Sequence, residues 1–328
     1  MGNIAIEKNS PSSQKEASKE KARIIFRKYG IFLIFIGMVI LMSFLSPNFL
    51  TPSNLINVIR QVAVVAIVGF GVTMIIITTG IDLASGSVIA LVSVIAASFA
   101  HPNQYPVIVP VIVGLAVGAL TGFISGIIVS KGKIPAFIAT LGMMIGARGA
   151  ALIYSNGKPI TNFSDSFDFI GRGYILGIPF MIYVLAVAFI VSHVLLSKTK
   201  FGKYVYAIGG NEQAAVVSGI NVSKYLLLVY TYAGLMSGLA GVLFTSRISA
   251  GQPTAAVGYE LDAIAGVVIG GTSLSGGIGT ITGTMIGALI IGVLNNGLDL
   301  LHVSAYWQQI VKAFIIVGAV LIDKMRHK

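Results

Sequence analysis

The chain contains no cysteine, which excludes disulfides and thiolate metal sites. Charge is scarce as well: 10% of its 328 residues are charged, against about 25% in a soluble domain. With 55% hydrophobic residues and a mean hydropathy of +0.91, this is the composition of a polytopic membrane protein. The apolar runs lack period-two alternation, which argues against a transmembrane β-barrel. No G-x-x-x-x-G-K-[ST] run occurs; Gly157-Lys158 is followed by proline and lacks the upstream glycine. Without a phosphate-cradling loop the polypeptide is not expected to hydrolyse ATP by itself. Four dispersed histidines (His101, His193, His302, His327) offer no metal-ligand spacing, so no metal and no cofactor is expected. No Ser-His-Asp or paired-carboxylate arrangement supports an enzyme. The formal charge of +11 falls beside membrane spans and argues for topogenic lysine and arginine rather than nucleic-acid binding.

What is present is a series of apolar runs long enough to cross roughly 30 Å of hydrocarbon as helix. Ten are predicted, at 30–46, 56–79, 84–100, 107–130, 134–154, 174–196, 224–246, 260–272, 278–294 and 307–322, making the chain an all-α membrane helix bundle. Residues 1–29 read as a disordered basic cytoplasmic tail with no signal peptide. Residues 30–323 form one transmembrane domain, and 324–328 a short basic cytoplasmic tail. With both termini cytoplasmic, the inner segments are 1–29, 80–83, 131–133, 197–223, 273–277 and 323–328. Taking Lys224 with its loop, all lysines and arginines then fall at inner segments except Arg60, Arg148, Lys158, Arg172, Arg247 and Lys312. That matches the positive-inside bias.

Two segments look broken or re-entrant: Gly-Ile-Asp-Leu-Ala-Ser-Gly-Ser at 80–87 and GGTSLSGGIG at 270–279. Unwound backbone survives at membrane depth only when buried in protein or lining a wet cavity. The two breaks, about 190 residues apart, hint at an internal duplication. Gly114, Gly118, Gly122 and Gly126 form one stripe on a helix, which fits close helix packing or a glycine-lined pore face. Of the charges within or near spans, Asp82 is placed to cap the next helix. Arg148 can snorkel to the outer interface, and Glu260 and Asp262 complement a helix N-terminus. None forms a ladder through the bilayer. A path for a small polar solute needs weak hydrogen-bonding groups near the breaks, and the candidates are Asp82, Ser85, Ser87, Thr272, Ser273, Asn295 and Asn296.

One sustained polar segment lies between long apolar runs, Lys198 to Lys224, KTKFGKYVYAIGGNEQAAVVSGINVSK. Gly209 and Gly210 suggest a flexible entry, and Asn211 an N-cap. Glu212, Gln213, Ala214 and Ala215 then open a short helix, which Gly219 or Asn221 would end. A short helix with small exposed side chains can insert into a groove on a partner.

The run AIGGNEQAAVVSGINV resembles the coupling loop of permease subunits of bacterial ATP-binding-cassette importers, in the ribose/xylose/arabinose/galactose branch. Similarity extends over about 30 to 323 and includes TTGIDLASGSVIAL (78–91), KIPAFIATLGMM (133–144), ARGAALI (147–153), SAGQPTAAVGYELDAIAGVVIGGTSLSGGIGTI (249–281) and GAVLID (318–323). Branched-chain amino acid permeases share the architecture, but the GIDLASGS and GGNEQAA pattern looks like the sugar branch. The resemblance implies an importer-permease fold in a bacterial cell membrane, embedded in lipid. It also implies two permease copies with a pathway at their interface, as a homodimer or with a close paralogue. A separate cytoplasmic ATPase would dock on Gly209 to Gly219, and an extracytoplasmic sugar-binding protein on the outside. Outer loops 155–173 and 247–262, with Lys158, Asp165, Asp168, Arg172 and Arg247, offer a docking rim for that protein. The cargo implied is a monosaccharide, a ribose-like pentose or a hexose. The alternatives are an ion-coupled secondary transporter, a permease of the same type for a non-sugar solute, and a non-transporting membrane receptor or scaffold.

Overall fold

The computed structural model describes residues 30–326, so the predicted tail at 1–29 lies outside the described residues. Thirteen helices are found among them. They are α1 (Gly30–Leu45), α2 (Pro52–Ile77), α3 (Ser85–Ser98), α4 (Ile108–Ser130), α5 (Ala136–Ser155) and α6 (Asp165–Arg172). A two-stranded hairpin, β1 (Tyr174–Ile175) and β2 (Ile178–Pro179), precedes α7 (Phe180–Lys198). The remainder are α8 (Lys200–Gly210), α9 (Glu212–Val217), α10 (Val222–Ile248), α11 (Tyr259–Ile269), α12 (Ile281–Leu300) and α13 (Ala305–Arg326). The molecule is thus an all-α bundle. Each of the ten predicted spans contains a helix, and six helices among the described residues are long and apolar enough to cross a membrane.

Helix ends follow local chemistry where the chemistry is strong. Pro52 opens α2 at a position where its missing N–H costs nothing. Thr280 caps α12 by accepting from the Gly283 N–H at 3.0 Å. The sixth predicted span starts too early. Residues 174–179 form the hairpin instead, because Leu176 and Gly177 both take positive φ (51° and 77°) and reverse the chain. At the far end, helix α13 continues through Arg326, three residues into the segment read as a tail.

The core is built on α2, α10 and α12, whereas α4, α5 and α7 keep most of their surface outside. Helices α2 to α5 have 26, 14, 23 and 20 residues; α10 to α13 have 27, 11, 20 and 22. Long helix α2 packs on α11 and α12, and long helix α10 packs on α3 and α4. The end of α2 and the start of α10 lie on the same side, so the two four-helix runs enter the bundle in opposite senses, with starts about 170 residues apart. The two breaks are therefore not equivalent: one precedes short helix α3, and the other follows short helix α11.

The α4 glycines form a packing seam. An added Cβ at Gly118 would lie 2.5 Å from the Gly238 Cα, and one at Gly122 would lie 2.8 Å from the Gly234 Cα. Small residues on both helices let the backbones touch. Hydroxyls add lateral bonds, Thr73 with Thr284 between α2 and α12 (2.6 Å) and Ser192 with Tyr232 between α7 and α10 (2.6 Å).

Candidate functional site

The predicted short helix is present with both its cap and its stop. Asn211 is extended (φ −163°, ψ 106°), and its side-chain oxygen accepts from the Ala214 N–H at 2.9 Å. Gly219 sits at φ +81°. The Ile220 N–H reaches the Ala215 carbonyl at 3.0 Å, and the Gly219 N–H reaches that of Val216 at 2.9 Å. This pair of bonds is the Schellman stop that glycine favours. Glu212 lies in the first turn, where a negative charge suits the helix dipole. Glu212, Gln213 and Ala214 are exposed, while Ala215 is buried against Ile208 and Val222. Two residues that the sequence argument passed over complete the outer face: Val216 is 56% exposed and Val217 87%. Their signal was available, since a six-residue helix with one buried position must show the rest.

Gly209 and Gly210 differ from expectation. They are the last two residues of α8 rather than a flexible entry, and Gly209 is buried. A Cβ on Gly209 would collide with the Ile77 carbonyl oxygen and lie 2.7 Å from the Gly277 N. The glycine is there because three backbone segments meet: the end of α8, the end of α2 and the second break. The Gly277 N–H donates to the Ile77 carbonyl at 2.9 Å, and the Tyr206 hydroxyl donates to that of Gly279 at 2.6 Å. Burial pushes the Tyr206 phenol above its ordinary pKa, so it stays a donor. Thr79, next to this junction, holds φ +64°, an outlier for a β-branched residue. The short helix α9 is thus fixed at its base to both ends of the broken architecture.

The seven polar candidates do not form one cluster. Asp82 is buried and accepts from the Ala84 N–H at 2.9 Å and the Ser85 hydroxyl at 3.2 Å, so it braces the turn before α3 rather than capping the helix, whose N-cap Ala84 has no side-chain cap. Ser87 is buried in the first turn of that helix. The Thr140 hydroxyl of α5 donates to the Ile81 carbonyl at 3.0 Å and holds this break in place. Asp82 borders a cavity of about 10 Å³, lined in part by Thr121, Ser125, Tyr230 and Ser237, room for about one water. Thr272 and Ser273 are buried in the second break, which opens with a Schellman stop on Gly271 (φ +88°). Asn295 and Asn296 lie about 20 Å away along α12. Asn296 exchanges amide bonds with Asn54 at 2.8 and 2.9 Å. Asn295 donates to Asp262 at 3.3 Å, and Asp262 also takes the Lys312 ammonium at 2.9 Å. That ion pair ties α11 to α13 and was not legible in the sequence. Arg148 is half-buried and donates to the Pro253 and Ala255 carbonyls at 2.9 and 2.8 Å, a clamp on the loop before α11.

At the opposite end of the bundle, the loops at 155–173 and 247–262 are sewn together. Ile160 bridges Gly251. Arg172 donates to the Ser249 hydroxyl at 2.8 Å, and that hydroxyl donates to Asp168 at 2.9 Å. Lys158 and Asp165 are exposed.

Comparison with known proteins decides the family. Residues 54–320 match the family described as branched-chain amino acid transport system / permease component. The chain belongs to this permease family. Among its relatives is the ribose import permease protein RbsC of Bacillus subtilis, 49% identical over 95% of this chain and 98% of the relative. The protein of the same name from Haemophilus influenzae is 49% identical over 89% of this chain and 91% of its own. The L-arabinose ABC transporter permease protein AraH of Azospirillum brasilense is 33% identical over 98% and 96%. No solved structure matches. The permease family, the apolar helices and these relatives make the chain a multi-pass membrane protein.

Proposed function

We propose that this chain is the membrane-spanning subunit of an ATP-driven importer for a monosaccharide, ribose or a sugar of similar size, in a bacterial cell membrane. Identity near one half to ribose import permeases, over almost the full length of both chains, supports the substrate class. Both termini are cytoplasmic in this reading, with 30–323 as one transmembrane domain. The meeting of the α2 end, the α8–α9 segment and the second break on one side of the bundle supports that orientation.

The observation that carries the mechanism is the exposed, doubly capped helix α9 standing on a packed backbone junction. A separate ATPase subunit docks on Gly209 to Gly219, meeting Glu212, Gln213, Val216 and Val217 on the outer face. When ATP draws the ATPase subunits together, two α9 helices approach each other. The buried contacts of Gly209 with Ile77 and Gly277 pass that displacement to the two breaks. Asp82, Ser85, Ser87, Thr272, Ser273, Asn295 and Asn296 serve the path as the groups that hold broken segments and helix pairs in one arrangement or the other. A ligand or partner shifts such an equilibrium only by its differential affinity for the two states. A second copy packs on the outer face of α5, where Gly142, Gly146 and Gly149 have open space beside them. A sugar-binding protein docks on the sewn outer loops.

The test uses proteoliposomes holding the chain with its ATPase and binding protein, and follows uptake of labelled ribose. Glu212→Lys and Val217→Asp, both on exposed positions, are expected to abolish ATP-driven uptake while the bundle unfolds at the unchanged denaturant midpoint. Normal uptake by both variants overturns the coupling assignment. Uptake by the chain alone under a proton or sodium gradient overturns the ATP-driven class and returns the secondary-transporter reading.

A further inference from the structure

The hairpin before α7 serves no part of the proposed coupling or pathway, yet it presents the most exposed large apolar side chain among the described residues. Leu176 is 94% exposed at its tip. It occupies a turn position with φ +51°, where asparagine or glycine is the usual choice. Tyr174, Ile175 and Ile178 beside it are exposed as well. A water-facing turn built from Ile-Leu-Gly-Ile has no use for these side chains.

Three observations say what covers them. The first is depth. Helix α7 has 19 residues, about 28 Å of helix, which matches a hydrocarbon slab of roughly 30 Å. Its last residue, Lys198, marks the inner edge, so Phe180 stands at the outer edge and the hairpin lies at the boundary of headgroups and acyl chains. The second is continuity. From Gly173 through Ser192 no residue is charged, and the exposed side of α7, with Val187, Ile190, Val191 and Val194, continues the surface of the hairpin. The Tyr183 hydroxyl donates to the Ile175 carbonyl at 3.0 Å and ties the hairpin to the first turns of that helix. The third is the collar of charge at the neck. The Arg60 guanidinium lies 5.0 Å from the Tyr174 ring centroid and donates to the Arg172 carbonyl at 3.1 Å, and the Arg172 side chain is itself exposed. Tyrosine and arginine at headgroup level flanking an apolar tip form the interfacial pattern of membrane anchors.

We infer that residues 174–178 form an interfacial anchor: the Leu176 tip inserts among the outer-leaflet lipids, while Arg60 and Arg172 stand among their phosphates. The inference rests on the chain spanning a bilayer, not on its cargo.

Because the chain has no cysteine, Leu176→Cys gives a single thiol for a nitroxide spin label. Ile178→Cys is read in parallel, and Lys158→Cys, on an exposed turn at the same end, serves as the water-facing reference. The full chain is reconstituted in phosphatidylcholine–phosphatidylglycerol vesicles, and relaxation by oxygen, which concentrates in lipid, is compared with relaxation by a water-soluble nickel chelate. The expected result is oxygen-dominated relaxation at 176 and 178 and chelate-dominated relaxation at 158. Chelate-dominated relaxation at both hairpin positions overturns the anchor, because the tip is then in water. A label at 176 or 178 reached by neither agent also overturns it, because protein then covers the tip. Loss of oxygen access on adding the sugar-binding protein identifies that protein as the occupant and overturns it too.

Discussion

Gly209 and Asn211 stand two residues apart, and they were legible in the sequence to very different degrees. Asn211 works through its immediate neighbours, by accepting from the Ala214 N–H, so residue type and spacing were enough to find it. Gly209 is small because the Ile77 carbonyl presses on it, and nothing within its own helix announces a contact made by α2. Gly209→Leu is therefore expected to destabilise the bundle by about 1–3 kcal/mol through overpacking, read as a lower midpoint in denaturant titration of detergent-solubilised protein. Glu212→Lys, on the exposed side of α9, is expected to leave that midpoint unchanged. The two substitutions separate packing at the junction from any role in docking. Similar reasoning applies to the reciprocal amides of Asn54 and Asn296. Asn54→Ala strands a buried amide and is expected to cost about 1 kcal/mol, whereas Asn54→Leu with Asn296→Leu is expected to recover most of the loss.

Among elements, the decisive contacts are those that hold helices distant in sequence. The α4 glycine stripe was visible from its period, but only the facing glycines of α10 show which surface it seals. Gly118→Leu is expected to push the Gly234–Gly238 stretch away and lower stability by about 1–3 kcal/mol, more than the same change at Gly142, beside which nothing lies within 4 Å. The Asp262–Lys312 pair offers a second test. Its members sit on α11 and α13, and Lys312 is 27% exposed. Asp262→Leu alone is expected to cost about 2 kcal/mol by stranding the ammonium, and adding Lys312→Met is expected to restore most of it, since apolar replacement of both partners is often neutral. A double-mutant cycle by denaturant titration measures the difference. The sequence suggested that Asp262 complements the dipole at a helix N-terminus, because a carboxylate in a first turn suits it. The partner on α13 could not be inferred, because helical periodicity carries no information about neighbours from another element.

For the whole molecule, the inverted pairing of α2–α5 with α10–α13 gives two half-bundles that share α2 and α10 as a common core. In the importer proposed above, rocking of such halves about their interface is the expected route of alternating access, with α9 proposed as the lever. The helical character of the apolar segments and the two glycine-rich breaks were determined by the sequence alone. So was the capped helix between Asn211 and Gly219. Each of these depends on local composition or on bonds within a few residues, which hydrophobicity and turn chemistry encode directly. Only the tertiary structure decided that Gly209 is wedged against Ile77, that the breaks occupy non-equivalent places in two oppositely oriented runs of helices, that residues 174–179 turn back as a hairpin, and that the seven polar candidates divide among separate sites. Those outcomes come from which helices meet, and close packing of backbones that are far apart in sequence is set by the whole bundle at once.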